Sequence, residues 1–370
     1  MKYYIVAGER SGDLHGGNLV RALRKEDPQG TFRGFGGEYM KDAGVDVVVH
    51  YADMAFMGLA ELLGNLRKIS RYIRKCKDDI DQFNPDVVIL IDYGGFNRRI
   101  AKYGRSRGLK IFYYIPPKVW AWYQRRVWEL KANVDRMFVI LPFEKDFYRK
   151  FHWEVDYVGN PVLDAVRAHT PDDQFREREG LTNDKPIVAL LPGSRKQELQ
   201  RIIPIMEEVV RRNPSYQYAV AAVDNLDSSL YGELRSMGNV KFVYNKTYDL
   251  LQHAAAAIVT SGTATLETAL FRVPQVVVYK ASPLSYFLAR LVVKVSHISL
   301  VNLIAGREVV RELIQGDANP SDTAAELERL LQGERRNKVL EGYEEVVRLL
   351  DAGDSASENA ARLMVRYLRA

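Results

Sequence analysis

The sequence predicts two doubly wound α/β domains, each built around a parallel β-sheet. Short apolar runs rich in Val, Ile and Tyr alternate with segments of helical periodicity along most of the 370 residues. Runs that are apolar throughout are typical of parallel strands buried on both faces of a sheet. The alternation stops near the middle of the chain and then resumes, and a chain of this length is long enough for two domains.

The candidate strands fall into two sets on either side of this interruption. The first set includes YYIVA (3–7), VDVVV (45–49), DVVILID (86–92), KIFYYI (110–115), RMFVIL (136–141) and EVDYV (154–158). The second set includes IVALL (187–191), YQYAVAAV (216–223), VKFVY (240–244), AIVT (257–260) and QVVVY (275–279). Helical patterns separate the strands, which is typical of strand–helix–strand units.

A segment between Val158 and Ile187 separates the two sets of strands. It clusters proline, aspartate and other charged residues, a composition typical of a linker that leads into a helix. We therefore expect a first domain over residues 1–165 and a second domain over residues 166–340, facing each other. The helical segment from about residue 340 to residue 370 is expected to pack back on the first domain.

Composition limits the class of protein. The formal net charge of +6 is modest, and it suits an acidic ligand or an anionic membrane surface without selecting either. The single cysteine, Cys76, excludes an internal disulfide and favours a reducing, cytoplasmic compartment. No apolar run approaches the roughly 20 residues needed to span a bilayer, and the N-terminus lacks the pattern of a signal peptide. Any membrane contact is expected to be peripheral.

Polar residues at the strand ends of the first domain are candidates for sugar contacts and for catalysis. Ligands of open α/β sheets bind beyond the carboxyl ends of the strands. Asp92 ends a buried strand, where partial desolvation would raise its pKa and suit it to act as a base. Glu9 and Asp13 lie in the turn after the first strand, and Asn97 follows Asp92. The alternative for each carboxylate is capping of the next helix.

Two strand ends of the second domain predict a diphosphate site. In LPGSR, Gly193 and Ser194 precede Arg195, whose planar guanidinium suits phosphate. The second stretch, SGTATLETAL, opens a helix, and its hydroxyl groups and glycine are consistent with capping or with an anion at the helix N-terminus. Together the two loops favour a diphosphate cradle, with a carboxylate one turn further on for a ribose. The candidates in this stretch are Ser261, Gly262, Thr263, Thr265 and Glu267.

Two further segments leave alternatives open. The stretch SLVNLIAGREVVRELIQ carries Asn302 and Arg307, on either a helix face in a cleft or a capped helix with an internal ion pair. The stretch MGLAELLGNLRKISRYIRKCK predicts a basic amphipathic helix. Such a helix either lies on anionic lipid or packs on its own sheet. The candidate membrane contacts are Leu62, Leu66, Arg67, Lys68 and Arg71.

The chain resembles the lipid-A-disaccharide synthase family from Ala7 to about Gln315. The resemblance rests on motifs in the order expected of that family: AGERSGDLHG, GFGG, MGLAELL, IDYGGFN, KVWAW, LPGSRKQEL, SGTATLETAL and SLVNLIAGRE. It implies a GT-B glycosyltransferase with two Rossmann-like domains facing a central cleft. It also implies a step of lipid A biosynthesis. The motif MGLAELL adds Met57 and Glu61 to the candidates for sugar contact.

The resemblance also implies the substrates. UDP-2,3-diacylglucosamine would donate its sugar to 2,3-diacylglucosamine 1-phosphate, giving a β-1,6-linked disaccharide 1-phosphate and UDP. Inversion at the donor carbon requires a base, which we assign to Asp92, and stabilisation of the leaving UDP, which we assign to Arg195 and the amides near Ser261. We expect no cofactor, metal or nucleic acid, and we expect peripheral association with the inner membrane because both substrates carry acyl chains.

The sequence departs from the family pattern in two places. The loop after Asp92 is Tyr-Gly-Gly, where many relatives have proline and a second acidic residue. Pro116 and Pro117 replace a serine-containing run before KVWAW. Two other hypotheses fit the fold: a UDP-sugar 2-epimerase, and a non-catalytic protein that binds a lipid or a nucleotide.

Overall fold

The computed structural model describes residues 1–54, 66–283, 286–287 and 295–370. These residues form two compact units, each with its own parallel sheet. The first unit comprises Met1–Pro161 and Ala352–Ala370, and the second comprises Val162–Asp351. The predicted fold class, two doubly wound α/β domains, is confirmed.

The first unit contains a seven-stranded sheet among its described residues, with the strand order β3-β2-β1-β4-β5-β6-β7. Every neighbouring pair is parallel. Between β1 and β4 the strand order reverses direction, so this is the topological switch point of the sheet. The strands are β1 Lys2–Ala7, β2 Thr31–Gly36, β3 Asp46–His50, β4 Val87–Ile91, β5 Lys110–Tyr114, β6 Arg136–Val139 and β7 Asp156–Tyr157.

The second unit repeats this plan with a six-stranded sheet in its described residues, in the order β10-β9-β8-β11-β12-β13. All its neighbouring pairs are parallel, and its switch point lies between β8 and β11. The strands are β8 Ile187–Leu191, β9 Gln217–Ala222, β10 Val240–Tyr244, β11 Ala256–Thr260, β12 Gln275–Tyr279 and β13 Glu312–Ile314.

Helices connect the strands, and short 3₁₀ segments lie at Tyr51–Asp53 and Ser228–Ser236. The α-helices of the described residues are α1 Arg10–Glu26, α2 Glu38–Asp42, α3 Leu66–Phe83, α4 Gly94–Ser106, α5 Arg126–Asn133, α6 Phe143–Arg149, α7 Pro161–Arg167, α8 Phe175–Arg178, α9 Lys196–Arg212, α10 Thr247–His253, α11 Thr263–Leu270, α12 Leu300–Ala305, α13 Pro320–Leu331, α14 Glu334–Leu350 and α15 Ala356–Arg369.

The last helix closes the core of the first unit. Helix α15 packs along α1, and Ala360, Ala361 and Met364 share one buried cluster with Leu19 and Leu23. Alanines at this contact let the two helix backbones approach closely. Helix α14 remains in the second unit, so the segment that returns to the first unit begins at Ala352.

Two strands differ from what the sequence pattern predicts. Strand β2 has the sequence TFRGFG, and its glycines favour a turn when the segment is considered alone. The segment around Asn302 and Arg307 was predicted as one helix, and this was wrong for its second half. Helix α12 ends at Gly306, whose φ of +68° is the left-handed conformation common after helices, and β13 follows at the edge of the sheet.

Within the described residues, no helix has the length and apolar character needed to cross a membrane.

Candidate functional site

The predicted site residues lie at the switch points of the two sheets. In the first unit, Ala7 of β1 pairs with Ile91 of β4, so Glu9 and Asp92 both follow paired positions at the carboxyl edge. In the second unit, Leu191 of β8 pairs with Val259 of β11, and the loops of Arg195 and Ser261 follow these strands. Ligands of doubly wound sheets bind at such positions.

Asp92 has an unusual and firmly held backbone. Asp92 and Tyr93 have φ angles of +46° and +43°, in the left-handed region that non-glycine residues seldom occupy. The Asp92 N–H donates to the Ile115 carbonyl at 3.1 Å. The Asp92 carbonyl accepts from the Tyr113 hydroxyl at 2.6 Å and from the Asn97 amide at 2.9 Å. Strain of this kind persists only where the surroundings fix it, and it is common at active sites.

Asp92 lines a pocket of about 360 Å³ in the first unit. Burial raises the pKa of Asp92, while the charge of Lys118 and the Tyr93 N–H act in the opposite direction. Gly95 borders the pocket, and among the described residues beyond its own turn of helix no atom lies within 4 Å of where its Cβ would be, so a ligand can approach the backbone there. The pocket is lined by Glu9, Ile69, Asp92, Tyr93, Gly94, Gly95, Phe96 and Arg99.

Two other candidates of the first unit have structural partners instead. Asp13 is only 1% exposed, and its carboxylate accepts from the N–H groups of Gly37, Tyr39 and Met40 at 2.7–3.1 Å. It therefore caps α2, and these hydrogen bonds leave its carboxylate little acceptor capacity for a sugar. The side chain of Asn97 is buried, and its amide donates to the carbonyls of Ile91 and Asp92, so its evident role is to hold the Asp92 loop.

The loop after β8 presents Arg195 at the start of α9. The Arg195 side chain is 82% exposed, and its one close carboxylate in the described residues is Glu198 at 3.4 Å. The Glu198 carboxylate also accepts from the N–H groups of Ser194 and Arg195 at 3.2 Å. Gly193 has a φ of +97°, and a side chain there would collide with Glu198. Sequence reasoning missed Glu198, although its place three residues after the N-cap is that of a capping-box glutamate.

The loop after β11 leads into α11, and two hydroxyl groups of this segment donate hydrogen bonds within the protein. The Ser261 hydroxyl donates to the Ile298 carbonyl at 3.0 Å, and the buried Thr265 hydroxyl donates to the Gly262 carbonyl at 2.8 Å. Gly262 and Thr263 are exposed at the helix start. Capping therefore accounts for part of the motif. Gly262 and Thr263 are exposed residues, and their backbone N–H groups are the candidates for binding an anion.

Glu267 lies one turn into α11 and is held by a residue that the sequence pattern did not indicate. The Tyr248 hydroxyl, at the start of α10, donates to Glu267 Oε1 at 3.1 Å. Burial raises the pKa of Glu267, and this hydrogen bond opposes the rise. Tyr248 and Glu267 are 19 residues apart, so only the folded sheet shows that they meet.

The two candidates near the end of the second unit are also bound within the protein. Asn302 is buried, and its side chain donates to Val310 and Glu312 and accepts from Val309 and Val310 at 2.8–3.0 Å. It ties α12 to β13. Arg307 is half-exposed and forms a salt bridge with Glu345. Each side chain therefore has a partner within the second unit.

Three candidates, Met57, Glu61 and Leu62, lie outside the described residues, and so does the side chain of Leu66. Along the rest of α3, Ile73, Cys76 and Ile80 are buried in the first unit, whereas Arg67, Lys68 and Arg71 are exposed. The described apolar stripe of this helix therefore packs on its own domain.

The KVWAW motif has one buried tryptophan and one exposed tryptophan. Trp120 is buried, and its indole N–H donates to Glu144 Oε1 at 3.1 Å, while Trp122 is 53% exposed. Burial raises the pKa of Glu144 to about 7, although N–H groups of Leu141, Ile140 and Trp120 counteract this. Glu144 thus fastens the loop that carries Lys118. Among the described residues, no three His, Cys, Asp or Glu side chains form a group that could hold a metal ion.

Two doubly wound units with polar loops at their switch points define the class of GT-B enzymes. The solved structure of the glycotransferase of kitacinnamycin matches with a TM-score of 0.69 at 15% identity, covering 99% of this chain and 98% of that chain. A UDP-GlcNAc 2-epimerase from Neisseria meningitidis, solved with UDP-GlcNAc bound, matches with a TM-score of 0.65 at 13% identity and covers 100% of both chains. These low identities show a shared fold.

Sequence similarity narrows this class to one family. The model of the lipid-A-disaccharide synthetase family matches residues 3–365. The lipid-A-disaccharide synthase of Syntrophus aciditrophicus (strain SB) is 42% identical over 374 residues, which cover 99% of this chain and 97% of the relative. The chain belongs to the lipid-A-disaccharide synthetase family, whose members are glycosyltransferases of lipid A biosynthesis. The predicted family and enzyme class are confirmed, and similarity to epimerases is one of fold.

The capping role of Asp13 can be tested by stability. Asp13→Asn should lower the free energy of unfolding of the first unit by about 1.5–3 kcal/mol, because an amide cannot replace a carboxylate that accepts several N–H groups. Calorimetric melting measures the change. Asp42→Asn, at the exposed end of the same helix α2, is the matched control and should leave the melting temperature within a degree or so of the parent. Equal shifts for the two variants would contradict the capping role.

Proposed function

We propose that the enzyme transfers 2,3-diacylglucosamine from its UDP donor to 2,3-diacylglucosamine 1-phosphate. The products are the β-1,6-linked disaccharide 1-phosphate and UDP. Family membership supports these lipid sugars as substrates. The observation that carries the mechanism is the half-buried Asp92 carboxyl group, held by its backbone at the switch point of the first sheet and facing a pocket large enough for a sugar.

The reaction is a single displacement in this proposal. The oxygen of the acceptor 6-hydroxyl attacks the anomeric carbon of the donor, and Asp92 takes the proton of that hydroxyl. The bond from that carbon to the UDP phosphate oxygen breaks, and UDP departs with the electron pair. The guanidinium of Arg195 stabilises the charge that develops on UDP. Asp92 then releases its proton to solvent.

The donor contacts are assigned to groups that remain available. The UDP-GlcNAc bound to the Neisseria epimerase of the same fold supports a UDP-sugar as donor. Because Glu198 occupies the Ser194 and Arg195 amides, we assign the diphosphate to the Arg195 side chain and to the amides of Gly262 and Thr263. Glu267, oriented by Tyr248, accepts the ribose hydroxyls.

We also propose that one face of the first unit binds anionic membrane, as peripheral association with the inner membrane requires. Helix α3 packs on α4, and α4 packs on α5, so the three share a face of the sheet. The exposed charged groups in the first half of α3 are basic, whereas its second half also exposes Asp78 and Asp81. Large exposed aromatic side chains precede or begin α5: Trp122 at 53%, Tyr123 at 59% and Trp128 at 54%. Basic and aromatic side chains together suit a membrane interface.

The assignment of Arg195 predicts weaker nucleotide binding without it. Arg195→Gln should raise the dissociation constant for UDP about tenfold to a hundredfold, since a hydrogen bond to a charged group contributes about 1.5–3 kcal/mol. Titration calorimetry with UDP measures this constant. The neighbouring exposed Lys196→Gln is the control, and it should stay within about twofold of the parent. If both variants weaken UDP binding equally, the loss reflects the removal of any positive charge nearby, and the assignment of Arg195 is wrong.

The assignment of Asp92 predicts a loss of rate rather than of binding. Asp92→Asn should lower kcat by about 10²–10⁴-fold, the usual contribution of a positioned base, with UDP affinity unchanged. Steady-state kinetics at saturating acceptor measure kcat. Glu9→Gln alters the other carboxylate of the same pocket and should change the acceptor KM more than kcat. A near-normal kcat for a folded Asp92→Asn variant would make Asp92 a scaffold residue.

The pH profile gives the same assignment an independent check. A base must be deprotonated, so the rate should fall as the pH decreases through the pKa of Asp92, which burial raises. Lys118→Met removes the charge that opposes this rise, so the acid limb should move to higher pH. An acid limb that stays in place in Lys118→Met would show that another group titrates.

The membrane face predicts salt-sensitive binding with an aromatic component. Charge reversal of Arg67 and Arg71 should weaken sedimentation with anionic liposomes, since each basic residue contributes about 1 kcal/mol near such a surface. Trp122→Ser with Trp128→Ser should weaken it at high salt as well. Charge reversal at Arg348, on α14 of the second unit, is the control. Binding that ignores both salt and all these changes would exclude this face.

A further inference from the structure

The pocket beside Asp92 contains a cation that the mechanism above does not use. Arg99 lies in the second turn of α4 and is exposed, and it lines the same pocket of about 360 Å³ as Asp92 and Glu9. The remaining lining comes from Ile69, Tyr93, Phe96, Gly94 and Gly95. The pocket lining therefore carries two carboxylates and one guanidinium.

Arg99 differs from the other arginines of its helix in having no carboxylate partner within the described part of the chain. Arg98 forms a salt bridge with Glu129 at 3.3 Å, Arg105 with Asp135 at 2.9 Å, and Arg107, just past the helix, with Asp81 at 3.2 Å. Those pairs fasten α4 to its neighbours. Arg99 has no such function in the fold, so its charge remains available to a ligand in the pocket.

The chemistry of a guanidinium limits the ligand to an anion with several oxygen atoms. Its planar fork of N–H donors matches the oxygens of a phosphate or carboxylate, and it remains charged at any physiological pH. A phosphate monoester carries more charge than a carboxylate and offers three acceptor oxygens. Of the substrates proposed above, the acceptor is the one that enters this pocket with a phosphate monoester.

We propose that Arg99 binds the phosphate of the acceptor and so determines specificity for a phosphorylated acceptor sugar. This inference rests on the proposed function. The reacting 6-hydroxyl and the 1-phosphate extend from the two carbons that flank the ring oxygen, so they are less than one sugar ring apart. Arg99 lies five residues after Gly94 in α4, a rise of about 7.5 Å along the helix axis, and both residues line the pocket. Phosphate at Arg99 and hydroxyl at Asp92 hold the sugar at two points on the same side of its ring.

Binding at these two points also separates the charges. A phosphate held at Arg99 stays away from the carboxylates of Asp92 and Glu9, which would repel it. The sugar can then enter in one orientation, with the 6-hydroxyl toward the base. Arg99 is thus a specificity-determining residue, and it takes no part in bond making.

Kinetics with two acceptors test the proposal. The rate of disaccharide formation is measured at saturating donor with 2,3-diacylglucosamine 1-phosphate and with the same lipid sugar bearing a 1-O-methyl group in place of phosphate. Arg99→Gln should lower kcat/KM about tenfold to a hundredfold for the phosphorylated acceptor, mainly through KM, and should leave the methyl glycoside unchanged. Arg99→Lys should recover part of the loss, because it keeps the charge but not the fork.

The control is Lys102→Gln, an exposed cation on the same helix that does not line the pocket. It should match the parent with both acceptors, and circular dichroism should show that all variants are folded. The proposal is overturned if Arg99→Gln loses the same factor with both acceptors or loses nothing with the phosphorylated one. Failure of the parent to form disaccharide would instead overturn the proposed function.

Discussion

The candidate site of the first unit depends on how the backbone of Asp92 is held. A strand that ends in two consecutive left-handed residues is costly, since each such residue costs about 1–2 kcal/mol. The cost is met by three hydrogen bonds to the Asp92 peptide groups, from Asn97 and Tyr113 to its carbonyl and from its N–H to Ile115. These partners come from the next helix and the neighbouring strand. The carboxyl group therefore takes its place in the pocket because the two elements around it are already packed.

The carboxylates that follow the strand ends of this protein differ in how many protein donors they accept. Asp13 and Glu144 are buried and accept several N–H groups, which fixes α2 and the KVWAW loop. Asp92 and Glu267 are only partly buried and keep acceptor capacity. A carboxylate whose oxygens already accept protein donors has little left for a ligand. The distinction between a cap and a functional group thus follows from hydrogen-bond satisfaction.

The same distinction explains which residues the sequence pattern could select. Asp92 and Arg195 were selected as candidates because apolar runs mark strand ends, and strand ends of parallel sheets bind ligands. Asn302 was chosen as a polar residue in an apolar helical stretch, yet its side chain forms one hydrogen bond to Glu312 of β13 and three to Val309 and Val310 just before that strand. Tyr248 and Arg99 had no local signal at all. The partner of Tyr248 lies on another helix, and Arg99 stands out only because its neighbours on α4 are paired.

The sequence by itself determined the fold class, the family and the strand ends that carry Asp92 and Arg195. These depend on apolar periodicity and on short motifs, which are properties of adjacent residues. Only the tertiary structure decided that β2 and β13 are strands, that Ile73, Cys76 and Ile80 of α3 face inward, and that Asp13 is a cap. Each of these depends on partners distant in the chain: β2 is a strand because β1 and β3 pair with it, and Asp13 caps a helix that begins 25 residues later. The burial of a side chain and its hydrogen-bond partners depend on contacts between distant segments, so they are known only once the packing of those segments is known.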